Sequence, residues 1–252
     1  MEQSITTQSQ RPICLTIGGS DSCGGAGIQA DLRVFEALKV QGCTAITALT
    51  AQNHQMIHRI EAVSLAQLDA ELHAIFDVYD IAVVKTGMLL DAEHIATVSA
   101  CLDLHHMNKP LVIDPVMVSS SGKPLLNTGA IETLKHTLIK QATLLTPNLD
   151  EAAVFLGRNV DDAVEDAATL VMQLGCAVLL KGGHGKGDAC TDVLCEKGGD
   201  IALFSHARQA WSSEKLHGTG CRLSSAIAAK VAKGASLHDA CEASIAYLQQ
   251  LT

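Results

Sequence analysis

Short apolar runs alternate with longer amphipathic stretches along this chain, and the runs tend to end in glycine, aspartate or a Thr-Pro pair. That rhythm predicts repeated strand and helix units. Residues Ile13 to Gly18 read as a buried strand feeding a glycine-rich loop, Gly18 to Gly25, after which Ile28, Leu32, Phe35 and Leu38 recur at helical spacing. Further strands are predicted over Thr44 to Leu49, Ile81 to Val84, Leu111 to Asp114, Thr143 to Thr146, Ala177 to Lys181 and Ala189 to Cys195. The clearest later helices are Glu132 to Leu138, Asp150 to Leu156, Ala163 to Leu174, Cys221 to Val231 and Leu237 to Leu248. Runs such as Ile81 to Val84 and Leu111 to Ile113 lack alternation, as expected of strands covered on both faces in a mainly parallel sheet. In such a sheet ligands gather where strands end and helices begin.

The 252 residues are 48% hydrophobic and 18% charged, enough to bury a large core and unlike a disordered chain. No repeat or linker interrupts the pattern, so a mobile tail over residues 1–12 followed by one domain over 13–252 is expected. A formal net charge of −9 argues against broad attraction to nucleic acid or anionic membrane, and 3% aromatic content is too sparse to stack single-stranded bases. Small molecules are the natural partners. Nine cysteines without CxxC, a polar first segment and the lack of a long apolar run point to a reduced, cytoplasmic protein without a membrane span.

The strand-to-helix junctions carry the chemistry. His217-Gly-Thr-Gly-Cys221 precedes a helical pattern, so Gly218, Thr219 and Gly220 read as an anion site built from helix N-terminal N–H groups, or as a plain glycine turn. Cys221 at that N-terminus is expected to have a pKa below about 8.5 and to accept a proton, unless it is a buried small hydrophobe. Asn148 and Glu151 follow Thr146-Pro147: they read either as a helix cap or, with Asp114 at a neighbouring strand end, as holders of hydrated Mg²⁺. Lys181 ends a strand beside two glycines and can reach nucleotide phosphates. Met88 and Gln52 suit a flat heterocycle, or core and surface respectively.

Other chemistries find no support: there is no GxxxxGK[ST], no GxGxxG after a strand and no HExxH, and His54 with His58 reads as a polar face. Seven segments in register, GGSDSCGGAGIQAD (18–31), TALTAQN (47–53), KTGML (85–89), DPVMVSSSG (114–122), LLTPNLDEA (144–152), LKGGH (180–184) and HGTGC (217–221), resemble the hydroxymethylpyrimidine and phosphomethylpyrimidine kinases of thiamine biosynthesis. The resemblance spans about Ile13 to Leu248. It implies a ribokinase-like fold, a three-layer α/β/α sandwich around a mostly parallel sheet, and a homodimer.

The resemblance further implies successive phosphorylation of 4-amino-5-hydroxymethyl-2-methylpyrimidine and its monophosphate, with ATP and Mg²⁺. Gln52 would bind the aminopyrimidine, Met88 would pack on its ring, and Gly19, Asp21 and Ala26 would line the same pocket. Asp114 and Glu151 would be the magnesium-linked acids, Asn148 and Lys181 would face ATP phosphates, Gly218 to Gly220 would form the anion hole and Cys221 would be the base. Against the family pattern, Ser119 to Ser121 stand where lysine is frequent, Thr50 replaces an apolar residue, and the sequence ends at Thr252 without a glycine-rich tail. Arg222 replaces threonine and is expected to face solvent; the segment Ala207 to Leu216 is expected to be a strand. Two rivals follow, a pyridoxal kinase and a ligand-binding relative with weakened catalysis.

Overall fold

The computed structural model describes residues 11–105, 108–118, 125–182, 189–207 and 212–250, without the side chain of Ser213. The chain runs β1 (Ile13–Asp21), α1 (Gly27–Ala37), β2 (Gln41–Gln52), β3 (Ile57–Ala62), α2 (Leu65–Phe76), β4 (Ile81–Thr86), α3 (Ala92–His105), β5 (Leu111–Ile113) and α4 (Thr128–His136). It continues through α5 (Leu138–Gln141), β6 (Leu144–Leu145), α6 (Leu149–Leu156), α7 (Ala163–Leu174), β7 (Ala177–Leu180), β8 (Ala189–Cys195), β9 (Ile201–Ala207), α8 (Ser213–Leu216), α9 (Thr219–Ala232) and α10 (Leu237–Gln249). All strands form one sheet in the order β3-β2-β1-β4-β5-β6-β7-β8-β9. The pairings from β2 through β7 are parallel, whereas β3, β8 and β9 pair antiparallel at the two margins.

Because successive strand side chains point to opposite faces, each central strand feeds two cores. Leu15, Ile17, Val84, Ile113 and Leu180 pack with Leu72 of α2, Val98 of α3, Leu134 of α4, Phe155 of α6 and Leu170 of α7. Cys14, Val83, Val112 and Leu179 pack on the other face with Phe35 of α1, Ile227 of α9 and Ile245 of α10. Each large aliphatic side chain so buried contributes about 1.5–3 kcal/mol. The result is the three-layer arrangement that the uninterrupted apolar runs predict.

Several boundaries differ from the sequence expectation. The helix expected over Glu132 to Leu138 breaks at Thr137, whose ψ of −89° ends α4 while its hydroxyl donates back to the Thr133 carbonyl. Ala207 to Leu216 is not a strand: β9 stops at Ala207, α8 begins at Ser213, and 208–211 lie outside the described residues. His58 lies on β3 and is exposed, consistent with a polar face. Of the expected tail, Arg11 and Pro12 are described, and Arg11 pairs with Glu36 of α1 at 3.1 Å. Ser119 to Ser121, His184 and Thr252 also lie outside the described residues. Among the described residues no helix is long and apolar enough to cross a membrane.

Candidate active site

The carboxyl ends of β1, β2, β4, β5, β6 and β7 lie along one edge of the sheet, and the sequence-predicted residues sit there because those strands are parallel. Asp114 follows β5 and Lys181 follows β7; the Lys181 ammonium lies 3.1 Å from Asp114 Oδ1 with both side chains largely shielded. Gly220, in the first turn of α9, closes over this pair. A Cβ added to Gly220 would lie 3.4 Å from Lys181 Nζ and 3.5 Å from Asp114 Oδ2, so the absence of a side chain brings a helix N-terminus against the cation and the acid. Burial would lower the Lys181 pKa, yet Asp114 and Glu151 hold it up. Lys181 is therefore a fixed positive charge.

Glu151 fills the capping role that its spacing suggests. Asn148 Oδ1 accepts from the Glu151 N–H at 2.8 Å while Glu151 Oε2 accepts from the Asn148 N–H at 2.9 Å, a complete capping box at α6. Glu151 Oε1 also accepts from the Met117 N–H at 3.2 Å. Burial raises the Glu151 pKa and the neighbouring Asp114 adds to it, with Lys181 opposing. Two buried carboxylates sharing one cation are hard oxygen donors of the kind that hold Mg²⁺ through water. Asn148 also bridges in parallel register to Lys181. The Lys181-Gly182 turn is fixed by Asp192, which accepts from the Gly182 N–H at 2.7 Å, and by a Thr191 carbonyl that would lie 2.0 Å from a Cβ on Gly182.

The turn before α9 is bound to the first glycine loop. Gly218 caps the helix in the left-handed region at φ 80°, and a Cβ there would lie 2.1 Å from the Gly25 carbonyl oxygen. Asp21 ties the two loops: its carboxylate accepts from the N–H groups of Cys23 at 2.9 Å and Ala26 at 2.8 Å and meets His217 Nε2 at 2.8 Å. Burial would raise the Asp21 pKa, but these partners outweigh it and hold the carboxyl well below the usual range. Thus Asp21 and Ala26 shape the loop through this carboxylate. Arg222 does not face solvent as expected: its guanidinium donates to the Gly25 carbonyl at 3.1 Å, adding a third tie between α9 and the loop.

Cys221 lies in the first turn of α9 and is partly accessible, but its pKa moves opposite to expectation. Burial pushes it up to about 11, with Asp31 and Asp114 adding to the rise; Lys85 and the Gly27 N–H pull the other way without prevailing. The helix dipole is a smaller effect than desolvation beside two acids. Beneath Cys221 is a buried polar cluster that local sequence patterns do not reveal. Asp31 of α1 accepts from Lys85 of β4 at 2.8 Å, Thr16 of β1 at 2.6 Å and Ser225 of α9 at 2.7 Å. Lys85 and Asp31 are each 1% exposed. Burial alone would lower the Lys85 pKa, and Asp31, with Cys221 and Asp114, raises it instead. The signal for this cluster is Lys85 at the end of the apolar run Ile81 to Val84, since a charge buried in such a strand needs a partner; Asp31 is unmarked in α1, which also carries Arg33 and Glu36.

At the other end of the edge, Gly19 faces Met88: a Cβ on Gly19 would lie 3.3 Å from the Met88 sulfur. Met88 is half-buried, and its carbonyl accepts from Thr47 at 2.6 Å. Gln52 ends β2, half-buried, with its backbone held by the Ser22 hydroxyl at 2.7 and 2.9 Å. Thr50 is buried and donates to the Ser20 carbonyl at 2.8 Å, so its hydroxyl is used by the fold. A separate cavity of about 640 Å³, lined by Pro110, Leu111, Thr143, Ala177 and Lys197, opens at the opposite, amino edge and touches none of these groups.

A family profile described as Phosphomethylpyrimidine kinase matches residues 21–252. The chain is 45% identical over 240 residues to a hydroxymethylpyrimidine/phosphomethylpyrimidine kinase of Rhizobium meliloti (strain 1021), covering 94% of this chain and 88% of that protein. The crystal structure of phosphomethylpyrimidine kinase from Clostridium difficile 630 superposes with a TM-score of 0.82 at 36% identity, covering 95% of this chain and 99% of the other. Pyridoxal kinase from Staphylococcus aureus, solved with AMP-PCP and pyridoxal, gives a TM-score of 0.83 at 28% identity over 95% and 87% of the two chains. The sheet order and the helices on both faces are thus those of the ribokinase-like fold.

Proposed function

Because this chain belongs to the phosphomethylpyrimidine kinase family, we propose that it transfers the γ-phosphoryl group of ATP to 4-amino-5-hydroxymethyl-2-methylpyrimidine and then to the monophosphate so formed. The observation that carries this reading is the position of Gly220 at the start of α9, where a Cβ would be in van der Waals contact with both the Lys181 ammonium and the Asp114 carboxylate. Phosphoryl transfer is mainly positioning and charge stabilisation, and a helix N-terminus, a fixed cation and a carboxylate at one point supply both. Gly218, Thr219 and Gly220 present N–H donors to the transferred group; removing one such donor in measured enzymes costs about 2.7–4 kcal/mol. Lys181 and Asn148 hold the phosphate chain. Asp114 and Glu151 would hold Mg²⁺, which when bound would supply charge that neutralises the phosphates. Gly19, Met88 and Gln52 border the aminopyrimidine.

Cys221 is a thiol at neutral pH, so the first transfer draws its proton acceptor from the thiolate fraction that Lys85 favours. The second transfer has an anionic phosphate as acceptor and needs no such base. Nine free cysteines, none paired, support a reducing cytoplasmic setting, and the homodimer stands as part of the same proposal. A kinetic comparison tests the substrate: kcat/KM for the hydroxymethylpyrimidine is expected to exceed that for pyridoxal and pyridoxine. A preference for the vitamin B6 alcohols would make this a pyridoxal kinase, and binding of pyrimidine without ATP turnover would leave only a ligand-binding relative.

A further inference from the structure

The two loops that meet over the site bring together three side chains of metal-ligating type: Asp21 and Cys23 from the first loop and His217 from the turn before α9. Their ligand atoms all lie within 4.8 Å of one another. His217 Nε2 is 2.8 Å and Cys23 Sγ 3.4 Å from the same oxygen, Asp21 Oδ2. In a tetrahedral zinc site the corresponding ligand separations are about 3.4 Å for N to O and about 3.6 Å for S to O, as set by bond lengths of about 2.0–2.3 Å. Two edges of one face of such a tetrahedron are therefore nearly in place, the nitrogen needing to retreat by only about half an ångström, and the third, from Cys23 Sγ to His217, is within 4.8 Å. We propose that Asp21, Cys23 and His217 form a binding site for a zinc-class divalent cation, with solvent as the fourth ligand.

The surroundings favour this occupant over Mg²⁺. Thiolate and imidazole are softer ligands than Mg²⁺ accepts, and three protein ligands with one open position is a common zinc arrangement. The remaining donors to Asp21 are backbone: Cys23 N–H on Oδ1 and Ala26 N–H on Oδ2, which keep the carboxylate oriented while the metal binds. The His217 ring is held against Gly25, where a Cβ would come within 2.4 Å of His217 Cδ2. Asp21 and His217 are buried whereas Cys23 is exposed, giving the cation an entry side. Binding converts the Cys23 thiol to thiolate and releases its proton to solvent; the proton that His217 Nε2 shares with Asp21 leaves that nitrogen to solvent, and the imidazole that binds through Nε2 carries its remaining proton on Nδ1, either already present or taken up from solvent. The metal would then lock the first loop onto the turn that carries Gly218 to Gly220, so the bound state is an inhibited one. That inhibitory consequence rests on the kinase reading; the binding itself does not.

The test uses the whole protein. Co²⁺ added to the wild type is expected to give one equivalent of a tetrahedral spectrum with a thiolate charge-transfer band, and Zn²⁺ to displace it. Cys23→Ser, an exposed and conservative change, is expected to lose that band, to bind Zn²⁺ at least about tenfold more weakly, and to keep its basal turnover in Mg²⁺ while resisting zinc inhibition. A Co²⁺ thiolate band or a zinc affinity unchanged in Cys23→Ser would overturn the site. Equal zinc inhibition of both proteins would overturn its inhibitory role. A protein with the cobalt spectrum but no kinase turnover would leave the site standing and refute the kinase reading alone.

Discussion

Cys221 shows how position along a helix and position in the fold can oppose each other. Read in sequence it is a helix-start cysteine with a lowered pKa; in space it sits above Asp31 and Asp114, and burial pushes it up to about 11. The thiolate, the reactive form, is populated only as pH approaches that value, so alkylation of Cys221, followed by mass spectrometry at that peptide, is expected to accelerate about tenfold per pH unit from pH 7 to 10. A plateau below pH 8 would contradict the raised pKa. Cys221→Ala is expected to slow phosphorylation of the alcohol by about 10²-fold or more, within the range of lost general-base catalysis, and to slow phosphorylation of the monophosphate much less. Equal losses in both half-reactions, measured by product mass, would remove Cys221 as the base. At this scale the placement of the junction residues was legible, because glycine, acid and lysine mark the ends of strands locally. Asp31, Thr16 and Ser225 were not, since the cluster that Thr16, Lys85 and Ser225 form around Asp31 crosses four elements and leaves no local pattern. The Arg222 contact was hidden for the same reason: its acceptor is a backbone carbonyl 197 residues away.

Among the elements, β4, α1 and α9 are joined through the buried Lys85–Asp31 pair rather than through apolar contact alone. Lys85→Met leaves Asp31 with two hydroxyl donors and no cation, and is expected to cost about 3–5 kcal/mol in denaturant unfolding, the usual penalty for removing one partner of a buried pair. A loss below about 1 kcal/mol would contradict the structural weight of the Lys85–Asp31 pair. Gly218→Ala pits a side chain against the Gly25 carbonyl, whereas Gly157→Ala meets open space although Gly157 too has positive φ, at 71°. The first is expected to raise the KM for ATP and lower kcat; the second is expected to change only stability. Equal kinetic effects would show that backbone strain, not the seam between loops, is what matters. Periodicity exposed the central strands and matched the bounds of α7 and β8, whose ends carry Asp162 and Gly175 caps or apolar edges. It missed β3 and β9. Both are edge strands with most side chains exposed; no apolar run marks β3, and the short run Ile201 to Phe204 of β9 is half exposed.

Over the whole molecule, the parallel middle of the sheet brings the described parts of seven distant segments to one edge, a convergence that no single motif reveals. The antiparallel margins leave that edge intact. The amino edge, with its cavity beside Lys197, has none of this chemistry and lies across the sheet from the residues at 114, 151, 181 and 218–221. The placement of bound ligands decides between the two edges. In a crystal of the protein with Mg²⁺, a non-hydrolysable ATP analogue and the hydroxymethylpyrimidine, the terminal phosphate is expected at about 2.7–3.1 Å from N–H groups of Gly218 to Cys221. The hydroxymethyl oxygen is expected between that phosphorus and the Cys221 sulfur. A triphosphate seated in the amino-edge cavity, or one whose terminal phosphate touches neither Lys181 nor the α9 N-terminus, would contradict the assignment.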